Sequence, residues 1–245
     1  MELQAHWLGR VAYREAWQRQ HELVAARAAG EIPDQLLLLE HPAVLTLGRQ
    51  ADPAHVRLSE GELAVRGIEL IRVERGGEVT YHGPGQLVGY PIVRLADRGI
   101  LLRPFVRALE ASMRDACAAF GVRADRRAGF PGCWVEPEGL RPRKIGALGI
   151  RVERGVTYHG IALNVTTDLA DFGLIDPCGL PEIEVTSIAR EAGWPERTDD
   201  ARHLREAARA FEAAFRRALD AAGTETPSNG RASQEPAVAG TPRGA

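Results

Sequence analysis

Apolar positions along the chain follow two periods, and each predicts its own elements. From about Val11 to Ala29 the spacing is helical, with Tyr13, Trp17, Leu23 and Val24 on a broken apolar face, after a short apolar segment near Leu3 to Leu8. QLLLLE from Gln35 and VLTLG from Val44 are short apolar runs bounded by Pro33 and Pro42, which predicts buried strands. GIELIRVERGGEVTYHGPGQLVGYPIV then alternates strand-like runs with glycines, predicting two or three strands joined by a Gly-rich loop. Phe105, Leu109, Met113 and Cys117 recur every four residues, so a helix from about Arg103 to Phe120 turns one stripe to the core, with Cys117 as a small apolar member. GCWVEP predicts a strand carrying Cys133 and Trp134, and Lys144 to Val165 predicts a β-hairpin with its turn near Glu153 to Gly155. Leu204, Ala208, Phe211, Phe215 and Leu219 mark a final helix from about Arg202 to Ala222. Past it the chain loses aromatics and periodicity and is rich in Pro, Gly, Ser and Ala, so a disordered tail is expected over residues 223–245. Strands with interspersed helices, lacking a regular βαβ alternation, predict one α/β (α+β) domain over residues 1–222, a mixed sheet with surrounding helices.

One phrase recurs inside this pattern. IRVERGGEVTYHG from Ile71 returns as IRVERGVTYHG from Ile150, with Gly77 and Glu78 having no counterpart. A duplicated domain is disfavoured, because the echo covers little more than one strand and loop while its flanks differ. Two histidines far apart, His82 and His159, without an HxxxH or acidic pattern, do not make a metal site, and no metal is expected. Each is either a polar pocket residue or a hydrogen-bonded core histidine. The loop from Arg75 to Pro91 holds five glycines and two prolines but lacks the lysine and hydroxyl of a P-loop and opens no GxGxxG helix. Glycines at that density let a backbone turn sharply or approach a ligand. Gly146, Ala147, Gly149, Gly160 and Ala162 leave the hairpin similarly bare. The two copies are therefore expected to form two walls of one pocket.

Composition narrows the function. The chain has 245 residues, 44% hydrophobic and 26% charged, with a formal charge of -2, which argues against a generic nucleic-acid binder and leaves only a local basic patch around Arg126, Arg127, Arg141 and Arg143. No run approaches the roughly 18 apolar residues of a membrane span, and the start lacks a secretory pattern, so a cytoplasmic location is expected. Three cysteines, Cys117, Cys133 and Cys178, are too few and too dispersed for a zinc pattern or a disulfide framework. Among 31 basic residues Lys144 is the single lysine. Cys178 follows a proline and precedes a glycine in LIDPCGLPEI, so a tight turn is expected to present it. A thiol is a good nucleophile when a cation stabilises its thiolate, and a lysine, unlike arginine, also serves as a base after losing its proton. Cys178 with Lys144 suits acyl transfer through a thioester, with backbone N–H groups holding the oxyanion and no ATP required.

RGGEVTYHGPGQLVGYPI, KIGALGIRVERGVTYHGIALNV, and PCGL followed by VTSI resemble, in order and spacing, three signature blocks of the lipoyl(octanoyl) transferases, over about Leu3 to Ala222. The resemblance implies transfer of an octanoyl group from octanoyl-acyl carrier protein to a lysine of lipoyl domains in 2-oxoacid dehydrogenase complexes and the glycine cleavage H protein. It also implies a biotin/lipoate protein ligase-like fold and no cofactor. Carried over, Cys178 is the acyl-thioester nucleophile and Lys144 stabilises its thiolate. The substrate-contacting segments become Arg75, Gly76, Gly77, Glu78, Val79, Thr80, Tyr81 and His82, then Ala147, Leu148 and Gly149, then Gly160, Ile161 and Ala162. Two positions depart from the pattern: Gly155 stands where relatives carry a bulkier residue, and Cys133, in place of an aliphatic residue, is expected to be a second reactive thiol. An ATP-dependent lipoate or biotin ligase and a non-catalytic carrier-binding or lipoyl-domain-binding module are the rival readings; the chain lacks a GRGRxGR-type loop, and the PCG block favours the transferase.

Overall fold

The computed structural model describes residues 1–176, 183–194 and 201–224. In chain order the elements are β1 (Leu3–Arg10), α1 (Tyr13–Ala29), β2 (Asp34–Glu40), β3 (Val44–Leu47), α2 (Glu60–Val65), β4 (Glu69–Arg72), β5 (Val79–His82) and β6 (Gln86–Ile92). They continue as α3 (Leu102–Ala118), β7 (Asp125–Arg127), β8 (Phe130–Val135), β9 (Arg143–Glu153), β10 (Val156–Asn164), β11 (Glu184–Val185), α4 (Ile188–Glu191) and α5 (Ala201–Thr224). The periodic segments fold as their patterns require. The short helix α2, closed by a Ser59–Glu62 capping box, has too few apolar residues to show in the periodicity. Residues 225–245, most of the expected tail, lie outside the described residues.

Two sheets organise the molecule. The larger runs β1-β2-β6-β10-β9-β8-β7, and β11 joins β9 in parallel at Arg143 and Lys144, past the end of the β9–β10 ladder at Gly146. The smaller has the order β4-β3-β5. β5 and β6 are separated only by Gly83, Pro84 and Gly85, yet they belong to different sheets, so the Gly-Pro-Gly turn carries the chain from one to the other. Gly85 sits at φ 79°, in the left-handed region open to glycine.

The uninterrupted QLLLLE run is explained by burial on both faces of β2. Leu36 and Leu38 join the main core beneath α3 and α5, whereas Leu37 and Leu39 pack with Ala16 of α1 on the opposite face. The main core is dense in aromatics, Phe105, Phe211 and Phe215 being fully buried. Phe211→Ala is therefore expected to lower unfolding stability by about 3–5 kcal/mol, from lost transfer energy plus the cavity left behind, read from a urea midpoint. A smaller core holds Leu45, Leu63, Tyr81, Phe172 and Leu174 against the three-stranded sheet. The mixed α/β class holds as expected, with α1 on one face of the large sheet and α3 and α5 on the other.

Candidate active site

The two copies of VTYHG meet across one space. One cavity is lined by Arg75, Thr80 and His82 from the first copy, by His159, Gly160, Ile161 and Ala162 from the second, and by Ala147, Leu148 and Gly149 of β9. Tyr13 and Tyr90 complete its wall. An adjoining second cavity shares Arg75, Thr80, Ala147, Leu148 and Ala162 and adds Gly77, Glu78, Val79, Gln86, Lys144, Gly146, Asn164, Phe172 and Val185.

Close backbone approach explains the bare strands. Gly76 donates its N–H to the Ile150 carbonyl at 3.3 Å, and a Cβ on Gly149 would lie 2.6 Å from the Gly76 oxygen. The loop of the first copy thus rests on the strand that begins the second. Arg75 is pinned beneath it, with Nε donating to Thr46 Oγ1 at 3.1 Å, Nη2 to the Thr46 carbonyl at 2.7 Å and Nη1 to the Gly76 carbonyl at 3.0 Å. Gly76 and Tyr81, both in the sequence-expected set, line neither cavity. Tyr81 turns the other way, donating to Asp171 Oδ2 at 2.8 Å and packing its ring on Phe172.

A chain of buried hydrogen bonds ties these walls together. His82 Nδ1 donates to Gln86 Oε1 at 2.8 Å, and the Gln86 amide donates to Asn164 Oδ1 at 2.9 Å. Asn164 Nδ2 donates to the Thr186 carbonyl at 2.9 Å, and the Thr186 N–H donates to the Lys144 carbonyl at 3.0 Å. His82 is therefore linked, through β6 and β10, to the backbone of Lys144. Burial, with help from His41 and Arg75, pushes the His82 pKa well below its ordinary value, so the ring is neutral. His41 is likewise lowered, to about 4, by burial. Its Nδ1 donates to the Val11 carbonyl at 2.7 Å, which leaves Nε2 to accept from the Tyr90 hydroxyl at 2.8 Å. His159 is also lowered by burial, partly opposed by Glu74, whose carboxylate stands 3.6 Å from its Nε2. Burial alone would raise the Glu74 carboxyl, but His159 and the Trp17 indole N–H hold it below the usual carboxylate range.

Lys144 sits at the other end of the space. It is 9% exposed, lines the second cavity and lays Nζ over the Trp134 ring at 5.3 Å from the centroid. Trp134 is itself fully buried, donates Nε1–H to the Phe130 carbonyl at 3.0 Å and carries the Arg127 guanidinium at 5.2 Å. Its strand β8 pairs Trp134 with Lys144, while β11 pairs Val185 with Lys144 from the opposite edge. Cys178 lies outside the described residues. The chain enters residues 177–182 from Asp176, whose N–H donates to the His55 carbonyl at 2.9 Å, and after Ile183 forms the β11 pairing beside Lys144.

This arrangement, a buried lysine opening onto a two-part cavity between two glycine-rich walls, can be set beside known proteins. Residues 12–216 match the lipoyl protein ligase A/B catalytic domain. The chain belongs to that family. Among relatives of the lipoyl protein ligase A/B catalytic domain family, the chain is 48% identical over 192 residues to an octanoyltransferase of Chloroflexus aurantiacus, covering 78% of this chain and 85% of that one. It is 50% identical over 192 residues to an octanoyltransferase of Acidobacterium capsulatum, covering 75% and 78%. The fold is similar to that of Ta0514, a putative lipoate protein ligase from T. acidophilum, in its structure with bound lipoic acid, with a TM-score of 0.64 at 17% identity, over 89% of this chain and 86% of that one. It is also similar to a lipoate-protein ligase A bound with ATP, with a TM-score of 0.59 at 17% identity, over 89% and 86%.

The lipoyl ligase A/B framework leaves several residues that sequence patterns passed over. Tyr13 and Trp17, on the apolar face of α1, both serve the site, Tyr13 by lining the cavity and Trp17 by holding Glu74. Gln86 and Asn164 stood inside the quoted motifs, but only their hydrogen bond reveals a role. The expectation that Cys133 is reactive is overturned. It is 1% exposed in the main core, and contact with the Cys117 thiol, then burial, push its own thiol well above its ordinary pKa, which suppresses the thiolate. Within the basic patch Arg143 is neutralised, with paired bonds to Glu191 at 2.9 and 3.1 Å and a third to Glu136 at 3.1 Å. Among the described residues no group of three or more His, Cys, Asp or Glu is placed to hold a metal, and no helix is long and apolar enough to cross a membrane.

Proposed function

We propose that this chain transfers an octanoyl group from octanoyl-acyl carrier protein to a specific lysine of lipoyl domains, in the cytoplasm, through a thioester on Cys178. The single observation that carries the reading is the buried Lys144 lining the cavity, in a chain whose relatives at 48% and 50% identity are named octanoyltransferases. A protein of similar fold in an archaeal lipoylation system, a bipartite lipoate protein ligase from Thermoplasma acidophilum, works with its E2 lipoyl domain, which supports a lipoyl domain as the acceptor.

The steps balance without ATP or metal. Cys178 thiolate attacks the carrier thioester, forming an S–acyl bond to the enzyme as the bond to the carrier sulfur breaks; the departing thiolate takes a proton from the Lys144 ammonium, which leaves Lys144 as a free amine. The acceptor lysine, as free amine, then attacks the acyl-enzyme. An amide forms, Cys178 leaves as thiolate, and the amine proton passes to Lys144. Arg75, Gly76, Gly77, Glu78, Val79, Thr80, Tyr81 and His82, with Ala147 to Gly149 and Gly160 to Ala162, shape the acyl site, Gly76 and Tyr81 acting through the backbone and packing. Burying about six methylenes at about 0.8 kcal/mol each contributes roughly 5 kcal/mol of gross binding.

The test is direct. The protein is mixed with octanoyl-acyl carrier protein without ATP, weighed intact by mass spectrometry, and then given a lipoyl domain. An octanoyl adduct that is discharged to the domain is the expected result. A strict need for ATP would point to a ligase on the same fold, and binding without an adduct to a non-catalytic module.

A further inference from the structure

Lys144 faces the cavity because β9 is irregular at one residue. Against β8 the ladder passes from Cys133–Gly146 to Trp134–Lys144, which leaves Ile145 as the extra residue of a β-bulge. A Cβ on Gly146 would point into the main core, 2.7 Å from Met113 Sδ and 3.4 Å from Leu163 Cδ1, and the Ile145 side chain is buried in that same core. Unbroken alternation would send Ile145 to the opposite face and Lys144 back into the core. The bulge reverses both, so Lys144 emerges beside Trp134 on the cavity side.

The lysine also changes neighbours there. β10 stops pairing with β9 at Gly146, and the Lys144 carbonyl is taken up by the chain at β11, where Thr186 donates its N–H at 3.0 Å. Two residues of strand do not hold themselves in place, and side chains supply the hold. Asn164, the last residue of β10, has its Oδ1 held by the Gln86 amide at 2.9 Å and turns Nδ2 to the Thr186 carbonyl at 2.9 Å. Thr186 Oγ1 donates to Glu191 Oε1 at 2.6 Å, and Glu191 is fixed by paired bonds from Arg143, the residue before Lys144. Asn164 and Thr186 are both buried, so water does not stand in for these bonds.

We propose that Asn164 and Thr186 are positioning residues for Lys144: they lock β11 to the bulged end of β9 and so fix the course of the lysine side chain over Trp134. For its chemical consequence the proposal rests on the octanoyl-transfer reading, and it names the groups that aim the base of that reaction. Without the Asn164 amide the buried Thr186 carbonyl loses its partner, β11 loosens, and the backbone at the bulge shifts. A displacement of about 1 Å at a proton-transferring group lowers a rate on the order of 10^2-fold.

Lys144 is the single lysine, so the full chain grown on isotopically labelled lysine gives one lysine side-chain signal by NMR. In the wild type the Trp134 ring is expected to move that signal upfield of free lysine, and in Asn164→Ala it should return toward the free position. Thr186→Val keeps the shape, removes the hydroxyl bond to Glu191 and should shift the signal the same way, which keeps the test decisive if Asn164→Ala folds poorly. A wild-type signal at the free position, or an unmoved signal in a folded variant, would overturn the proposal. Kinetics give an independent reading. Asn164→Ala is expected to lower kcat on the order of 10^2-fold with KM for both substrates nearly unchanged. In a Lys144→Arg background the same change should add little, because both act through one group. A full additional loss there would give Asn164 a role of its own and sink the proposal. The NMR signal needs no turnover, so a shift in a protein that forms no octanoyl adduct sustains the positioning and removes the transferase reading.

Discussion

Cys178→Ala is expected to form no octanoyl adduct and to lose transfer activity by a factor on the order of 10^4 to 10^6 in kcat, the scale seen when a nucleophile is removed from a covalent mechanism. The reason is chemical. Direct attack of the acceptor amine on the carrier thioester would need both macromolecules at one site together, whereas a thioester on the enzyme separates the encounters in time. The variant should still bind octanoic acid, because the described walls of the cavity come from β5, β9 and β10. Intact mass after exposure to octanoyl-acyl carrier protein reads the adduct, and calorimetry reads the retained binding. A Cys178→Ala protein that turned over normally would remove the thioester mechanism.

Lys144→Arg is expected to lower kcat by about 10^2 to 10^4, the usual contribution of a positioned acid or base. Arginine keeps the charge that favours a thiolate but does not give up its proton at accessible pH, so it cannot receive the acceptor's proton. Space reinforces the effect: Lys144 is held between Trp134 and the β11 pairing, and a Cβ placed on Gly132 would come within 3.0 Å of Lys144 Cε. A branched, planar guanidinium cannot follow the same course. Single-turnover measurements divide the two roles. The first acyl transfer, which needs mainly the charge, should suffer less than discharge to the lipoyl domain, which also needs the base. Near-normal rates in both steps would assign Lys144 to charge alone.

Much of this is legible in the residues. Four-residue spacing places Phe105, Leu109, Met113 and Cys117 on one buried face of α3, and the QLLLLE run resolves into two cores because a strand sends successive side chains to opposite faces. The echo of VTYHG marks both walls of the cavity. The solitary lysine stands out because arginine fills every other basic position, and it lines the adjoining cavity. Tyr13 looks like part of an ordinary apolar stripe, because a helical period records which face is buried and is silent on what lies across from it. Cys133 misleads for a related reason: reactivity depends on surroundings, and those are supplied by Cys117 from a distant helix.

By itself, then, the sequence determined what depends on near neighbours along the chain: the helices and strands, the glycine-rich segments that allow backbones to touch, the family blocks, and the candidate Cys178 and Lys144. Only the tertiary structure decided that β5 and β6, three residues apart, belong to different sheets, and that the repeated histidines therefore face one cavity. It also decided that Gln86 and Asn164 connect His82 to the backbone of Lys144. The physical reason is the range of the interactions. Propensity, capping and period act over a few residues, while hydrogen bonds such as that from Gln86 to Asn164 join residues 78 apart, where the partner is chosen by the packing of whole elements.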